Sequence, residues 1–229
     1  MAVWFAPTAR EAMVTHCRTV YPQEGCGILL GEKVGGAWFV ARSVPVPNTH
    51  PERQRDRFQI DPRDFLRVER EAAQDRLSVI GFFHSHPDVP PYPSPTDAAF
   101  AWVNYLTVIV AVYNGRQVRV RSHLFEGEGK GFTELPTFVL LQPPLSGILT
   151  ELPQDSAVLD LTGEVEPFVT LAVRSALKNR AAGSTMAVRF DCEAALHTLP
   201  RFLTADGHTL CALGWDETGA WQLWLKVKK

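Results

Sequence analysis

The sequence His84-Ser85-His86-Pro87, with Ser94 and Asp97 close behind it, sets the architecture of the first half of the chain. The apolar residues 77–83 precede it and predict a buried strand that leads into His84. Because side chains alternate along an extended segment, His84 and His86 are expected to point to the same side. Pro95 and Asp97 suit the first turn of a helix that begins after Ser94. A strand end and a helix start should therefore converge on one point.

Two imidazoles and one carboxylate, with a fourth position left to water, are the ligand composition of a catalytic zinc site. A closed structural site would instead use four protein ligands. Zinc is the favoured ion for this donor set, and it can activate water near neutral pH. We therefore expect His84, His86 and Asp97 to bind Zn²⁺.

These residues resemble the signature of the JAMM (MPN+) zinc metalloproteases, which is His-x-His-Pro, then Ser-x-x-Asp, with a glutamate far upstream. Here Glu24 stands before a glycine-flanked apolar segment, and Asn48 and residues 57–62 are similar to the intervening region of bacterial members. The likeness covers about residues 1–125. It implies an α/β (α+β) fold of the JAMM/cytidine-deaminase-like type, with a mixed sheet flanked by helices. It also implies hydrolysis of peptide or isopeptide bonds after the C-terminus of ubiquitin-like proteins.

The resemblance assigns roles to five residues. It implies His84, His86 and Asp97 as metal ligands, a zinc-bound water as the nucleophile, and Glu24 as the general base that later delivers the proton to the leaving amine. It implies Ser94 as a hydrogen-bond donor to the oxyanion. Two structural alternatives stand beside these roles. In the first, Glu24 is only a solvated residue before a strand. In the second, Ser94 is only the cap of its helix, although capping and catalysis are compatible roles.

Composition excludes several classes of protein. The chain has 229 residues, 45% of them hydrophobic and 21% charged, as in ordinary globular proteins. A formal net charge of −2 argues against nucleic-acid binding. No apolar run is long enough to cross a bilayer, and the N-terminal residues lack the pattern of a signal peptide. The four cysteines are widely spaced and read as reduced thiols, so we expect a cytoplasmic protein.

Periodicity and turn signals divide the chain into three parts. In residues 1–125 we expect helices from Pro7 and after residue 61, and strands near 25–31, 37–44, 106–113 and 117–125. Residues 126–156 are rich in glycine and proline and predict a linker with local packing. Residues 157–229 predict a β-α-β-α-β-β order, which suits a small two-layer sandwich.

Residues 157–229 also resemble the SirA/TusA-like sulfur carriers. The likeness rests on residues 159–165 before Pro167, on residues 199–202 and on Gly207. That family carries its sulfur on a cysteine immediately before the helix-opening proline, and here the position holds Glu166. A carboxylate cannot form a persulfide, so this domain is not expected to relay sulfur.

The combined interpretation is a zinc peptidase or isopeptidase that cleaves after the C-terminal tail of a ubiquitin-fold, sulfur-carrier-like protein. Such a tail ends in Gly-Gly, which lets an extended backbone enter a narrow cleft. One alternative is a binding or scaffold module in sulfur trafficking with weak or vestigial hydrolysis. Hydrolysis of a small-molecule amide is a third interpretation, because the motif specifies the reaction and not the leaving group.

Overall fold

The computed structural model describes residues 1–34, 37–140, 157–215 and 218–228. It separates into two compact units, one of Val3–Thr137 and one of Phe138–Lys229 together with Met1–Ala2. No helix among the described residues is long and apolar enough to span a membrane.

The first sheet has eight strands in the order β7-β6-β5-β4-β2-β3-β1-β8. The strands are β1 (Ala2–Phe5), β2 (Cys26–Val34), β3 (Ala37–Val46), β4 (Ser78–Pro87), β5 (Leu106–Tyr113), β6 (Gln117–Phe125), β7 (Phe132–Leu135) and β8 (Thr137–Val139). The helices are α1 (Pro7–Val20), α2 (Pro62–Gln74) and α3 (Pro95–Phe100). Strand β4 pairs parallel with β5 and antiparallel with β2, so the sheet is mixed, as predicted.

Local sequence explains where the helices begin and which side each one buries. Helices α1 and α2 both start at a proline, and Asp61 caps α2 by accepting a hydrogen bond from the Arg63 amide. Helix α2 buries Val68 and Ala72, which are one turn apart and contact the core beside β2 and β4. The mixed sheet with flanking helices confirms the predicted fold class.

The structure adds detail to the sequence-based expectation at β4 and at the last two strands of the first sheet. The strand expected to end at His84 continues to Pro87, so both histidines lie within β4 rather than in a loop. The sequence predicts a linker with local packing over residues 126–156, and the structure forms β7 and β8 within residues 132–139. Residues 141–156 lie outside the described residues, and the proposed domain boundaries stay a prediction.

The second unit contains a four-stranded sheet in the order β11-β12-β10-β9 and two helices. Its elements are β9 (Ala157–Asp160), α4 (Phe168–Leu177), β10 (Thr185–Phe190), α5 (Ala195–Ala205), β11 (Thr209–Trp215) and β12 (Trp221–Lys226). Strands β9 and β10 are parallel and the other pairs are antiparallel. The predicted β-α-β-α-β-β order is confirmed.

Candidate active site

Strand β4 and helix α3 bring three ligand-type side chains together. His84 and His86 are two residues apart in β4, so their side chains lie on the same face of the strand, and they are 1% and 7% exposed. Their Nε2 atoms are 3.0 Å apart, and Asp97 Oδ1 lies 3.1 Å from His84 Nε2. Asp97 Oδ2 lies 3.8 Å from His86 Nε2. Among the residues that the structure describes, these three form the one cluster with metal-ligand geometry.

The spacing of these atoms fits a tetrahedral zinc ion. Ligand atoms held about 2.0–2.2 Å from zinc stand roughly 3.3–3.6 Å apart at the corners of a tetrahedron. The two Nε2 atoms are 3.0 Å apart, and the distances from His84 Nε2 to Asp97 Oδ1 and from His86 Nε2 to Asp97 Oδ2 are 3.1 and 3.8 Å, so all three are within a few tenths of an ångström of that range. The other ring nitrogen of His86, Nδ1, lies 3.1 Å from the Pro90 carbonyl oxygen. A hydrogen bond there fixes the tautomer and leaves Nε2 free to bind a metal.

Asp97 is held by the turn in which it lies. The Ser94 amide donates to Asp97 Oδ2 at 2.6 Å, and the Asp97 amide donates to Ser94 Oγ at 3.2 Å, which forms a capping box at the start of α3. Burial works to raise the pKa of Asp97. The hydrogen bond and charge of His84, with the hydrogen bonds from Ser94, outweigh it and hold the pKa well below its usual range. The carboxylate is therefore ionised, as a ligand must be.

Burial favours the neutral form of His86. Loss of hydration, followed by the neighbouring charge of His84, lowers the pKa of His86 below its ordinary value. A neutral imidazole is the form that coordinates a metal. Phe58 stacks on His84, with ring centroids 4.6 Å apart and planes inclined by 19°. The His84 ring is therefore fixed by packing.

Glu24 lines the same cavity as the cluster and precedes β2, the strand that pairs with β4. It lies two residues before β2, and the next residue, Gly25, donates to Ser85 Oγ at 2.8 Å and accepts from the Ser85 amide at 2.8 Å. Those bonds place Glu24 beside the part of β4 that lies between the two histidines. Its side chain is buried, and burial raises the pKa of Glu24 to about 7.

All five residues line one cavity of about 710 Å³. Glu24, His84, His86, Ser94 and Asp97 lie along it, and aromatic side chains form much of the remaining wall. The aromatic and apolar lining residues include Phe58, Ile60, Phe82, Phe100, Trp102 and Tyr105. Sequence reasoning missed this wall, because its members come from three separate segments and carry no common motif.

Several other polar or reactive residues of the first unit have different surroundings. Arg57 lines the cavity, whereas Arg53 pairs with Asp56 on the exposed surface. Cys26 is fully buried and burial raises the pKa of its thiol to about 12, as expected of a core cysteine. His123 is buried in β6 against Phe132 and does not line the cavity.

Comparison with known proteins agrees with this geometry. The family model described as prokaryotic homologs of the JAB domain matches residues 7–123, which are 117 of the 229 residues. The chain belongs to this JAB family. The predicted resemblance to JAMM (MPN+) enzymes is thereby confirmed, and a second model, sulfurtransferase TusA, matches residues 157–227.

Relatives of this JAB protein include named peptidases. It is 31% identical to the desampylase of Haloferax volcanii over 139 residues, which are 58% of this chain and 94% of that relative. It is 36% identical to the CysO-cysteine peptidase of Mycobacterium tuberculosis over 92 residues, which are 40% of this chain and 60% of that relative. The prediction of a JAMM-type hydrolase is confirmed by this kinship.

A solved structure gives the same fold. Protein DSY2949 from Desulfitobacterium hafniense is 25% identical and superposes with a TM-score of 0.56, covering 62% of this chain and 94% of that protein.

In the TusA-like part, Glu166 stands at the position where the resemblance to the sulfur carriers implies a cysteine. The Glu166 carboxylate accepts hydrogen bonds from the Thr170 amide at 3.3 Å, the Thr170 hydroxyl at 2.8 Å and the Thr198 hydroxyl. It thus ties the first turn of α4 to α5. Around it, Val165, Phe168 and Leu171 are more than half exposed.

Proposed function

We propose that the chain is a cytoplasmic, zinc-dependent peptidase or isopeptidase that hydrolyses the bond after the C-terminal tail of a ubiquitin-fold, sulfur-carrier-like protein. The observation that carries this proposal is the convergence of Glu24, His84, His86, Ser94 and Asp97 on one cavity. A metal cluster, a buried carboxylate and a hydroxyl around one cavity are the components of metal-assisted hydrolysis.

His84, His86 and Asp97 would hold the zinc ion. Zinc bound there would polarise a water molecule and lower its pKa toward neutrality. The protein supplies the remaining chemistry through its own side chains. The low pKa of Asp97 and the neutral state of His86 keep both groups in their ligating forms at neutral pH.

Glu24 would move the proton. A general base works best when its pKa lies near the working pH, and burial raises the pKa of Glu24 to about 7. The carboxylate would accept a proton from the attacking water and return it to the leaving amine. Its backbone is held against β4 through Gly25 and Ser85, so the side chain starts from a fixed position.

Ser94 would stabilise the oxyanion. Its Oγ accepts the Asp97 amide hydrogen, which leaves the hydroxyl hydrogen available to a substrate oxygen in the cavity. Capping the helix and donating to the oxyanion are therefore compatible roles. The capping box also fixes the hydroxyl before the substrate binds, which is the condition for effective electrostatic stabilisation.

The substrate class follows from the relatives and from the second unit. The names desampylase and CysO-cysteine peptidase suit cleavage of a particular conjugate better than general proteolysis. The similarity of the second unit to a sulfurtransferase suggests a role in sulfur metabolism, and this favours a sulfur-carrier-like protein ending in Gly-Gly as the substrate.

A binding or scaffold role is the second candidate. One observation favours it: Glu166 is committed to hydrogen bonds at the position where relatives of the second unit carry sulfur. The intact cluster in the first unit argues against it, since a scaffold has no need for convergent His84, His86 and Asp97.

The test is a cleavage assay on a carrier that ends in Gly-Gly and is extended by a few residues. Zinc-loaded protein should release the carrier at its terminal glycine, as read by mass spectrometry. Glu24→Gln should keep zinc and lose about 10²–10⁴-fold in turnover. A carrier whose final Gly-Gly is replaced by Val-Val is the matched control substrate. Binding without cleavage by the zinc-loaded protein would support the scaffold role instead.

A further inference from the structure

The side chain of Asn48, which has no part in the proposed chemistry, is hydrogen-bonded to the backbone of Glu24. Asn48 follows β3, and its Nδ2 donates to the Glu24 carbonyl at 3.0 Å and to the Arg57 carbonyl at 2.9 Å. Its Oδ1 accepts from the His50 amide at 3.0 Å and from the Gln59 amide at 3.1 Å. Two donated and two accepted bonds use the full hydrogen-bonding capacity of one carboxamide.

A second connection reinforces the first. The Gln54 side chain donates to the Asn48 carbonyl at 3.0 Å, and the Gln54 carbonyl accepts from the Glu24 amide at 2.6 Å. The backbone of Glu24 is therefore bonded to residues 48–59 through both its N–H and its C=O. That same segment carries Phe58, which stacks on His84.

We propose that Asn48 is a positioning residue that sets the distance between the Glu24 carboxylate and the metal cluster. The inference rests on the proposed function, because it concerns the residue that would move the proton. Glu24 precedes β2 and is not itself within a strand, so the sheet alone does not fix its backbone. Asn48 supplies this restraint from one side, and the pairing of Gly25 with Ser85 supplies it from the other.

The residue type matters for this role. Aspartate in place of Asn48 would keep the two accepted bonds but would face the carbonyls of Glu24 and Arg57 with a carboxylate oxygen. Repulsion between these oxygens would push Glu24 away from its place. A misplacement of about 1 Å in a catalytic group costs up to about 10²-fold in rate.

Three variants test the proposal in the full-length protein. Asn48→Ala removes all four bonds, and Asn48→Asp removes only the two donated ones. Thr49→Val is the matched control, since it deletes the hydrogen bond from the Thr49 hydroxyl to the Gln59 carbonyl in the same segment without touching Glu24. Zinc per chain, kcat and KM on the extended carrier are measured for each.

Both Asn48 variants should lose about tenfold to 10²-fold in kcat, with KM and zinc content close to wild type. Thr49→Val should behave as wild type. In metal-free protein, the peptide that contains Glu24 should exchange its amide hydrogens faster in the Asn48 variants and at the wild-type rate in Thr49→Val. Combining Asn48→Asp with Glu24→Gln should add almost no further loss, because residues that act as a unit are not additive.

The outcomes separate this inference from the proposed function. A wild-type protein that binds zinc and cleaves no carrier overturns the proposed function, and the positioning role with it. An active wild type whose Asn48 variants keep kcat overturns the positioning role alone. A full additional loss in the double variant also overturns it, since Asn48 would then act independently of Glu24.

Discussion

Replacing Ser94 by alanine separates two roles that one hydroxyl combines. As a helix cap, Ser94 Oγ accepts the Asp97 amide hydrogen at 3.2 Å, and loss of such a cap costs about 1 kcal/mol of stability. As an oxyanion donor, its loss would cost about 2.7–4 kcal/mol in the transition state, or roughly 10²–10³-fold in kcat. Ser94→Ala should therefore unfold slightly earlier and lose at least about 10² in kcat, with KM and zinc little changed.

Asp61→Ala supplies the control for the cap. Asp61 caps α2 in the same way, by accepting from the Arg63 amide at 2.8 Å, and it does not line the cavity. This variant should lose a similar amount of stability and keep its kcat. Urea unfolding and steady-state kinetics on the extended carrier measure both quantities. The reasoning is refuted if Ser94→Ala and Asp61→Ala lose the same stability and neither loses turnover, since Ser94 would then be a cap alone.

Three further predictions concern the pH dependence of stability, the role of Glu166 in the TusA-like part, and the contribution of the second unit to substrate recognition. Burial raises the pKa of Glu24 from 4.5 to about 7, so the stability that its bound proton contributes is present below pH 4.5 and is lost as the pH rises through 7. In metal-free protein, Glu24→Gln should remove this pH dependence, which amounts to up to about 3 kcal/mol in the free energy of unfolding. Urea unfolding at pH 5 and pH 8 measures it, and the control Glu52→Gln should keep the wild-type pH dependence; a Glu24→Gln variant that also keeps it would contradict the reasoning. Glu166→Ala should destabilise the second unit by about 1 kcal/mol, because Thr170 and Thr198 lose their hydrogen-bond acceptor, whereas the neighbouring Glu164→Ala should not. Wild-type protein incubated with a sulfur donor should carry no persulfide at Glu166, and a sulfur adduct at that residue in mass spectrometry would contradict this. Truncation near residue 150 should preserve zinc binding and cleavage of a generic peptide but raise KM for the carrier; unchanged kcat/KM would exclude the second unit from recognition.

Strong local signals explain how much of the fold could be predicted. The predicted strands 106–113 and 117–125 have the bounds of β5 and β6, because Asn114 and Gly115 accept the positive φ angles that a tight hairpin needs. In contrast, β1, β7 and β8 are only three or four residues long. Such short strands depend on hydrogen bonds to neighbours distant in sequence, and a local pattern does not reveal them.

In the candidate site, too, some features could be predicted from local sequence and others depend on contacts between distant segments. Fixed spacing predicted that His84, His86, Ser94 and Asp97 lie together, because their positions relative to one strand and one helix follow from backbone geometry. The surroundings were not predictable in this way. Phe58 reaches His84 from a loop 26 residues earlier, and the pairing of Asn48 with Glu24 depends on how that loop closes over the sheet. Contacts between irregular segments leave no periodic trace in the sequence.

The most direct measurement is the zinc content of purified protein by elemental analysis. Wild-type protein should hold about one zinc per chain, as expected for one site with three ligands. His86→Ala should lose most of the metal together with cleavage of the extended carrier. His50→Ala is the control, because His50 lines the same cavity outside the cluster, and it should retain its zinc. Full zinc retention by His86→Ala, or a wild type that binds no zinc, would contradict the account.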